Sequence, residues 1–181
     1  MRKGIWLMAI VIFLSGCAGA KEFHRGNNPS PKLNPNGSAY ILLPADAMYY
    51  TKDCVGSGSA IARVISSAFS KRLMKVEVSD RVEDLTAGLN KAKSGNFTYL
   101  IGSKISRWED HVTEWNGKLD RIQMEISIYD VQTDNMLDSI TIEGNGTWFT
   151  FGGYRPQNIV TKSIDEYATS LFGSERVDTS K

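Results

Sequence analysis

Two histidines, two cysteines and twenty acidic residues are the raw material for chemistry in this chain of 181 residues. The densest cluster is Glu109-Asp110-His111. Alternate residues of a strand share a face, so Glu109 and His111 can approach one metal ion while Asp110 points away. Two donors do not make a metal centre, and His111 reads more simply as a half-exposed strand residue. As a base for a serine nucleophile it lacks the Gly-x-Ser-x-Gly turn that such a serine needs. His24 falls in a stretch with little to hold it in register. No CxxC, HExxH or EF-hand spacing occurs. Gly56-Ser57-Gly58-Ser59 opens a helix, and its backbone N–H groups suit a phosphate. It lacks the lysine and spacing of a nucleotide loop, and reads as a tight turn with a serine cap at Ser57 or Ser59. No pair of carboxylates is marked for glycan cleavage. The expectation is a protein that is not an enzyme, with no catalytic residue, no metal and no cofactor.

Aromatic residues suggest contact rather than catalysis. Trp108, Trp115, Trp148, Phe149, Phe151 and Tyr154 gather in the second half of the chain. Tryptophan and tyrosine serve at sugar-binding faces and protein interfaces because they combine a large apolar body with a polar handle. Trp108 shares a predicted buried face with Val112. Trp115, at a hairpin tip, and Tyr154 and Arg155, in a Gly-Gly loop, are the candidate contacts for a partner or a cell-wall glycan.

The amino-terminal stretch has chemistry of its own. Arg2-Lys3 precedes an apolar run of 11 residues, then Leu14-Ser15-Gly16-Cys17. The run is far shorter than the ~20 residues a spanning helix needs, and the layout is that of a secretory leader. Leu14-Ser15-Gly16-Cys17 looks like the lipobox of bacterial lipoproteins. That resemblance implies a thioether-linked lipid on Cys17, cleavage before it and acylation of the new amino terminus. Ala18 resembles the residue found after the cysteine in lipoproteins sent on to the outer membrane. The expected location is the outer membrane, lipid-anchored and periplasm-facing.

Removing residues 1–16 takes away Arg2 and Lys3 and no acidic residue, so the net charge changes from +1 to −1. Phosphate-driven nucleic-acid binding needs a basic excess that is absent. With Cys17 lipidated, Cys54 has no partner in its own chain; it is either a buried thiol or half of an intermolecular disulfide.

The elements that position these residues follow from periodicity. Residues 17–37 are rich in Asn, Pro and Gly and predict a flexible tether. A single domain is expected over 38–173 and a disordered polar tail over 174–181. Tyr40-Ile41-Leu42-Leu43 predicts a buried strand, and 45–55 a connecting loop. Ile61, Val64, Ile65, Ala68 and Phe69 line one face of a helix. Residues 74–78 alternate as a strand. Asp80 or Glu83 can cap a second helix bearing Leu85, Leu89 and Ala92. Residues 97–101 form a third strand. Then come hairpins: about 105–115, a strand with Ile122, Met124, Ile126 and Ile128 on one face, and 136–143. A loop of Asn116-Gly117-Lys118 pairs Trp108 with Ile126 and sets Glu109 opposite Glu125. Trp148-Phe149-Thr150-Phe151 suggests one more strand. Pro156 opens a last helix with Val160, Ile164, Tyr167, Ala168, Leu171 and Phe172 on its apolar side.

The order is β-α-β-α-β, then antiparallel hairpins and a C-terminal helix, an α/β (α+β) fold on a central mixed sheet. Leu43-Pro44-Ala45-Asp46, Gly56-Ser57-Gly58, Trp108-Glu109-Asp110, Trp115-Asn116-Gly117 and the stretch 148–156 resemble a family of small proteobacterial lipoproteins known only as a domain of unknown function. The resemblance spans about 38–172 and brings no activity or catalytic residue with it. The element order is also similar to the periplasmic domain shared by the curli secretion lipoprotein and the amino-terminal domain of TolB. Together these imply a non-enzymatic binding or assembly module of the cell envelope. Its partners would be an envelope protein, itself or a cell-wall glycan. A subunit of an oligomeric secretion or surface-assembly complex is the alternative, and an enzyme acting on envelope glycan or lipid comes behind both.

Overall fold

The computed structural model describes residues 22–25, 30–109, 120–145 and 156–172. A six-stranded sheet is built from β1 (Glu22–Arg25), β2 (Ser38–Leu43), β5 (Lys75–Val82), β6 (Tyr99–Glu109), β7 (Arg121–Asp130) and β8 (Met136–Asn145). Their order is β1-β8-β7-β6-β2-β5. β2 runs parallel to both β5 and β6, and the other pairs are antiparallel. The sheet is therefore mixed, as the element order predicts. A small hairpin, β3 (Met48–Tyr49) with β4 (Lys52–Asp53), stands apart from it.

Helices cover both faces. α1 (Ser57–Ser70) and α3 (Pro156–Phe172) pack together on one face, burying Ile61, Ile65, Phe69, Val160, Ile164 and Leu171 completely. The predicted apolar stripes point into this core, where Ile122, Met124, Ile126 and Ile128 meet them. α2 (Leu85–Ser94) lies on the opposite face over Tyr40, Leu42 and Leu100. Ala92 is fully buried there, whereas Leu85, in the first turn beyond the sheet end, is exposed.

Arg72, just past α1, is 2% exposed. Its guanidinium donates to the Ala68 carbonyl at 2.7 Å, Asp165 at 3.1 Å and Thr169 Oγ1 at 2.6 Å, tying the end of α1 to α3. Arg72 and Lys71 hold the Asp165 carboxyl below the usual carboxylate range, against the opposing effect of burial.

Four local expectations need correcting. Part of the expected tether is sheet: β1 pairs with β8, Glu22 opposite Glu143. Leu33 is buried and its N–H donates to the Leu171 carbonyl at 2.9 Å. The stretches 97–101 and 105–109 are one continuous strand, β6. The hairpin register also differs: Trp108 faces Ile122 and Glu109 faces Arg121, with a bulge between Ile105 and Arg107. Trp108 keeps its buried face, while a like-charge pair is exchanged for an opposite-charge one. Finally, neither Ser57 nor Ser59 caps α1, and α2 is capped by Asp84, which accepts from Ala87 N–H at 2.8 Å.

Candidate binding cleft at the carboxyl end of the sheet

β2 stops at Leu43, while its parallel neighbour β6 runs on to Glu109. The β3–β4 hairpin, which the sequence presents only as a loop, takes the vacated place beside β6. Open α/β sheets characteristically bind ligands outside the carboxyl ends of their parallel strands. A cleft of about 760 Å³ lies there, between this hairpin, the first turns of α1 and the start of α3. That volume is within the range of small-ligand sites.

Trp108, 6% exposed, contributes to its lining. Around it stand Tyr49, Lys52, Cys54, Arg63 and Gln157. Burial, then the neighbouring Tyr50 and Glu109, push the Tyr49 hydroxyl up, so it stays protonated at neutral pH and serves as a hydrogen-bonding group. Cys54 is half-buried and packs against the core. Its N–H donates to the Ala47 carbonyl at 2.8 Å, and its own carbonyl accepts from Ser57 N–H at 3.0 Å. The cleft thus offers an aromatic surface, two cations, the Asp53 carboxylate and a thiol. Among the described residues no group of three His, Cys, Asp or Glu could hold a metal ion.

The glycine-rich start of α1 forms one rim, and it already holds an anion. Asp46 accepts from Gly56 N–H at 2.9 Å and Gly58 N–H at 2.7 Å. The Ser57 hydroxyl donates to it at 3.4 Å while accepting from Ala47 N–H at 2.8 Å. Burial raises the Asp46 pKa, but these donors outweigh it and keep the carboxyl below its ordinary value. A carboxylate from ten residues upstream thus occupies the place a phosphate would take, which removes the phosphate reading of Gly56-Ser57-Gly58-Ser59.

A second polar cluster lies beside α2. The Tyr40 hydroxyl donates to Glu83 at 3.1 Å, and Lys91 donates to both Asp80 and Glu83 at 3.3 and 3.4 Å. The adjacent Tyr40, then the two carboxylates, raise the Lys91 pKa, with burial opposing. These groups satisfy one another and fasten α2 to the sheet.

Of the sequence-predicted site residues, Cys54 is placed on the cleft. Cys17, Trp115, Tyr154, Arg155 and His111 lie outside the described residues, as do 148–151 and the tail 174–181. The hairpin residues Tyr49 and Lys52 and the anion at α1 were missed. A two-residue strand leaves no periodicity to find, and a cap supplied from ten residues away has no local motif.

The family described as Domain of unknown function (DUF4823) matches residues 31–171. The chain belongs to that family. The match starts inside the segment expected to be a tether, in agreement with the buried Leu33. Among solved structures, this DUF4823 protein is similar to the PelC dodecamer from Paraburkholderia phytofirmans at 14% identity. The match covers 86% of this chain and 100% of that one, with a TM-score of 0.64. Weaker likenesses are to XCC0632 from Xanthomonas campestris, of family DUF330, and to lipoprotein GNA1162 from Neisseria meningitidis. The first has 10% identity, covering 78% of this chain and 86% of that one, with a TM-score of 0.47. The second has 8% identity, covering 60% and 83%, with a TM-score of 0.38. No curated protein sequence matches the DUF4823 chain.

Proposed function

We propose that this DUF4823 protein is a lipid-anchored binding and assembly module of the bacterial cell envelope. It is held at the outer membrane through Cys17, faces the periplasm and does no covalent chemistry. The observation that carries this reading is Leu14-Ser15-Gly16-Cys17 at the end of a short apolar leader, with the first strand starting at Glu22. No helix among the described residues is long and apolar enough to cross a membrane. The acyl chains then do the anchoring, each buried methylene contributing roughly 0.8 kcal/mol. The cleft beside Trp108 fits a binding role: it has an aromatic surface and groups of both charges, Lys52 and Arg63 with Asp53.

Cell fractionation tests the anchor. Cys17→Ser is expected to move the protein entirely from the membrane fraction to the soluble fraction. Mature protein still bound to membranes in that variant overturns the reading.

A second reading, self-assembly, is favoured by the likeness to a dodecamer over the full length of that chain. Lys75, Glu77, Asp80 and Arg81 stand exposed on edge strand β5 and discourage strand-to-strand addition there. The subunit contacts would lie away from that edge. Light scattering on the detergent-extracted full chain is expected to give a mass that is a multiple of one protomer. A monomer mass across a concentration series rules this out.

A further inference from the structure

Large apolar side chains are unevenly exposed. Among the described residues seven stand out, and five of them, Met48, Tyr50, Val55, Val82 and Leu85, lie at the carboxyl end of the parallel strands. Met74 and Met136, before β5 and at the start of β8, lie at the other end. The most exposed are Val55 at 88% and Tyr50 at 84%. Both belong to the hairpin and the turn that follows it. Tyr50 has φ 53°, a left-handed conformation costly for a bulky side chain, and it holds this ring outward.

The ladder bounds how far the proposed lipid attachment can lie from this end. Glu22 pairs with Glu143, Glu143 with Gln123, and Gln123 with Arg107, the residue before Trp108. Three strand spacings of roughly 4.8 Å separate Glu22 from Arg107. β1 is antiparallel to β8 and so runs away from this end, which puts its first residue, Glu22, there. Cys17 is five residues before Glu22, a reach of at most about 18 Å. Acyl chains on Cys17 would therefore be tethered to the same end of the domain as the exposed apolar hairpin.

We infer that this end lies against the lipid surface, with Met48, Tyr50 and Val55 dipping into the interfacial layer and the Trp108 cleft opening toward the headgroups. The inference rests on the lipidation of Cys17. Tyrosine suits the interface because its ring is apolar and its hydroxyl polar. Lys52, between them, can meet an anionic headgroup, but Asp53 follows it, so apolar burial rather than charge leads the contact.

The test uses the full, lipidated chain in vesicles of phosphatidylethanolamine and phosphatidylglycerol carrying a shallow doxyl-labelled lipid. In a Cys54→Ser background, Met48→Cys, Val55→Cys, Met74→Cys and Met136→Cys are each given an environment-sensitive fluorophore. Flotation with the vesicles reports the anchor, and quenching reports the orientation. The labels at 48 and 55 are expected to shift to the blue and to be quenched several-fold more than those at 74 and 136. Protein that does not float rejects the anchor itself, and the orientation with it. Floating protein with equal quenching at all four positions, or stronger quenching at 74 and 136, rejects the orientation alone. Labels at 48 and 55 shielded from both doxyl lipid and aqueous iodide place a second copy on the hairpin and overturn the inference.

Discussion

Replacing Gly58 with alanine is expected to cost about 3 kcal/mol of stability, the upper range for overpacking, and to lower the melting temperature by roughly 6–12 °C. A Cβ at Gly58 would run into the Pro44 carbonyl oxygen and come within 3.1 Å of the Asp46 carboxylate. Both obstacles belong to the loop leaving β2, and the nearer is backbone, which cannot swing aside. The loop must move off α1, and the carboxylate that accepts from Gly56, Ser57 and Gly58 moves with it. The first turn of α1 is left with unsatisfied N–H groups. Gly56→Ala is the control: nothing lies within 4 Å of its Cβ, and only its φ of 86° opposes the change. It should cost about 1–2 kcal/mol, the left-handed backbone penalty. Urea melts of the two variants, followed by circular dichroism, measure the gap. If they are equally destabilised, the contact with Pro44 is not what requires glycine at 58.

Arg72→Ala is expected to destabilise by about 3 kcal/mol, through a cavity and the loss of a buried charge pair. Arg72→Met, which keeps most of the stem volume, should cost less, about 2 kcal/mol, because it avoids the cavity but still leaves Asp165 without its guanidinium. The estimate for alanine sits at the low end because the Asp165 side chain is 35% exposed and retains Lys71 at 3.1 Å. The pair also carries a pH signature. Asp165 has a depressed folded-state pKa. Its stabilisation is complete above the unfolded value of about 3.9 and disappears as pH falls through the lower folded value. Asp46 follows the same sign. The wild-type protein should lose stability steeply below about pH 4, and Arg72→Met should lose less of it over the same interval. An equal acid response in the two proteins would mean that Arg72 does not set the Asp165 pKa.

The parts of this fold that show in the sequence are those with a repeating pattern. Ile122, Met124, Ile126 and Ile128 alternate, and all four are buried at 1% or less. Ile61, Ile65 and Phe69 recur at helical spacing and face the core. Register was harder to read. The pairing of Trp108 with Ile122 depends on a bulge after Ile105, which alternation does not encode. Isolated pairings were invisible. Glu22–Arg25 is only four residues long, and its place comes from β8, more than a hundred residues away. The cleft was half legible. Trp108 and Cys54 stood out by residue type. Tyr49, Lys52 and Arg63 join them because β6 overhangs β2 and a two-residue hairpin fills the gap, a matter of strand length rather than of motif.

The direction of β1 has a mechanical consequence. Hydrogen bonds between antiparallel strands stand perpendicular to the strand axis. Tension transmitted through the residues before Glu22, along that axis, stretches the β1–β8 bonds together in shear. A pull across the sheet would break them one after another, starting from an end. Drag on the domain, or movement of a partner bound to it, would thus be resisted by the whole four-residue ladder at once. With the proposed anchor at Cys17, the short first strand would work as a strain relief between it and the core.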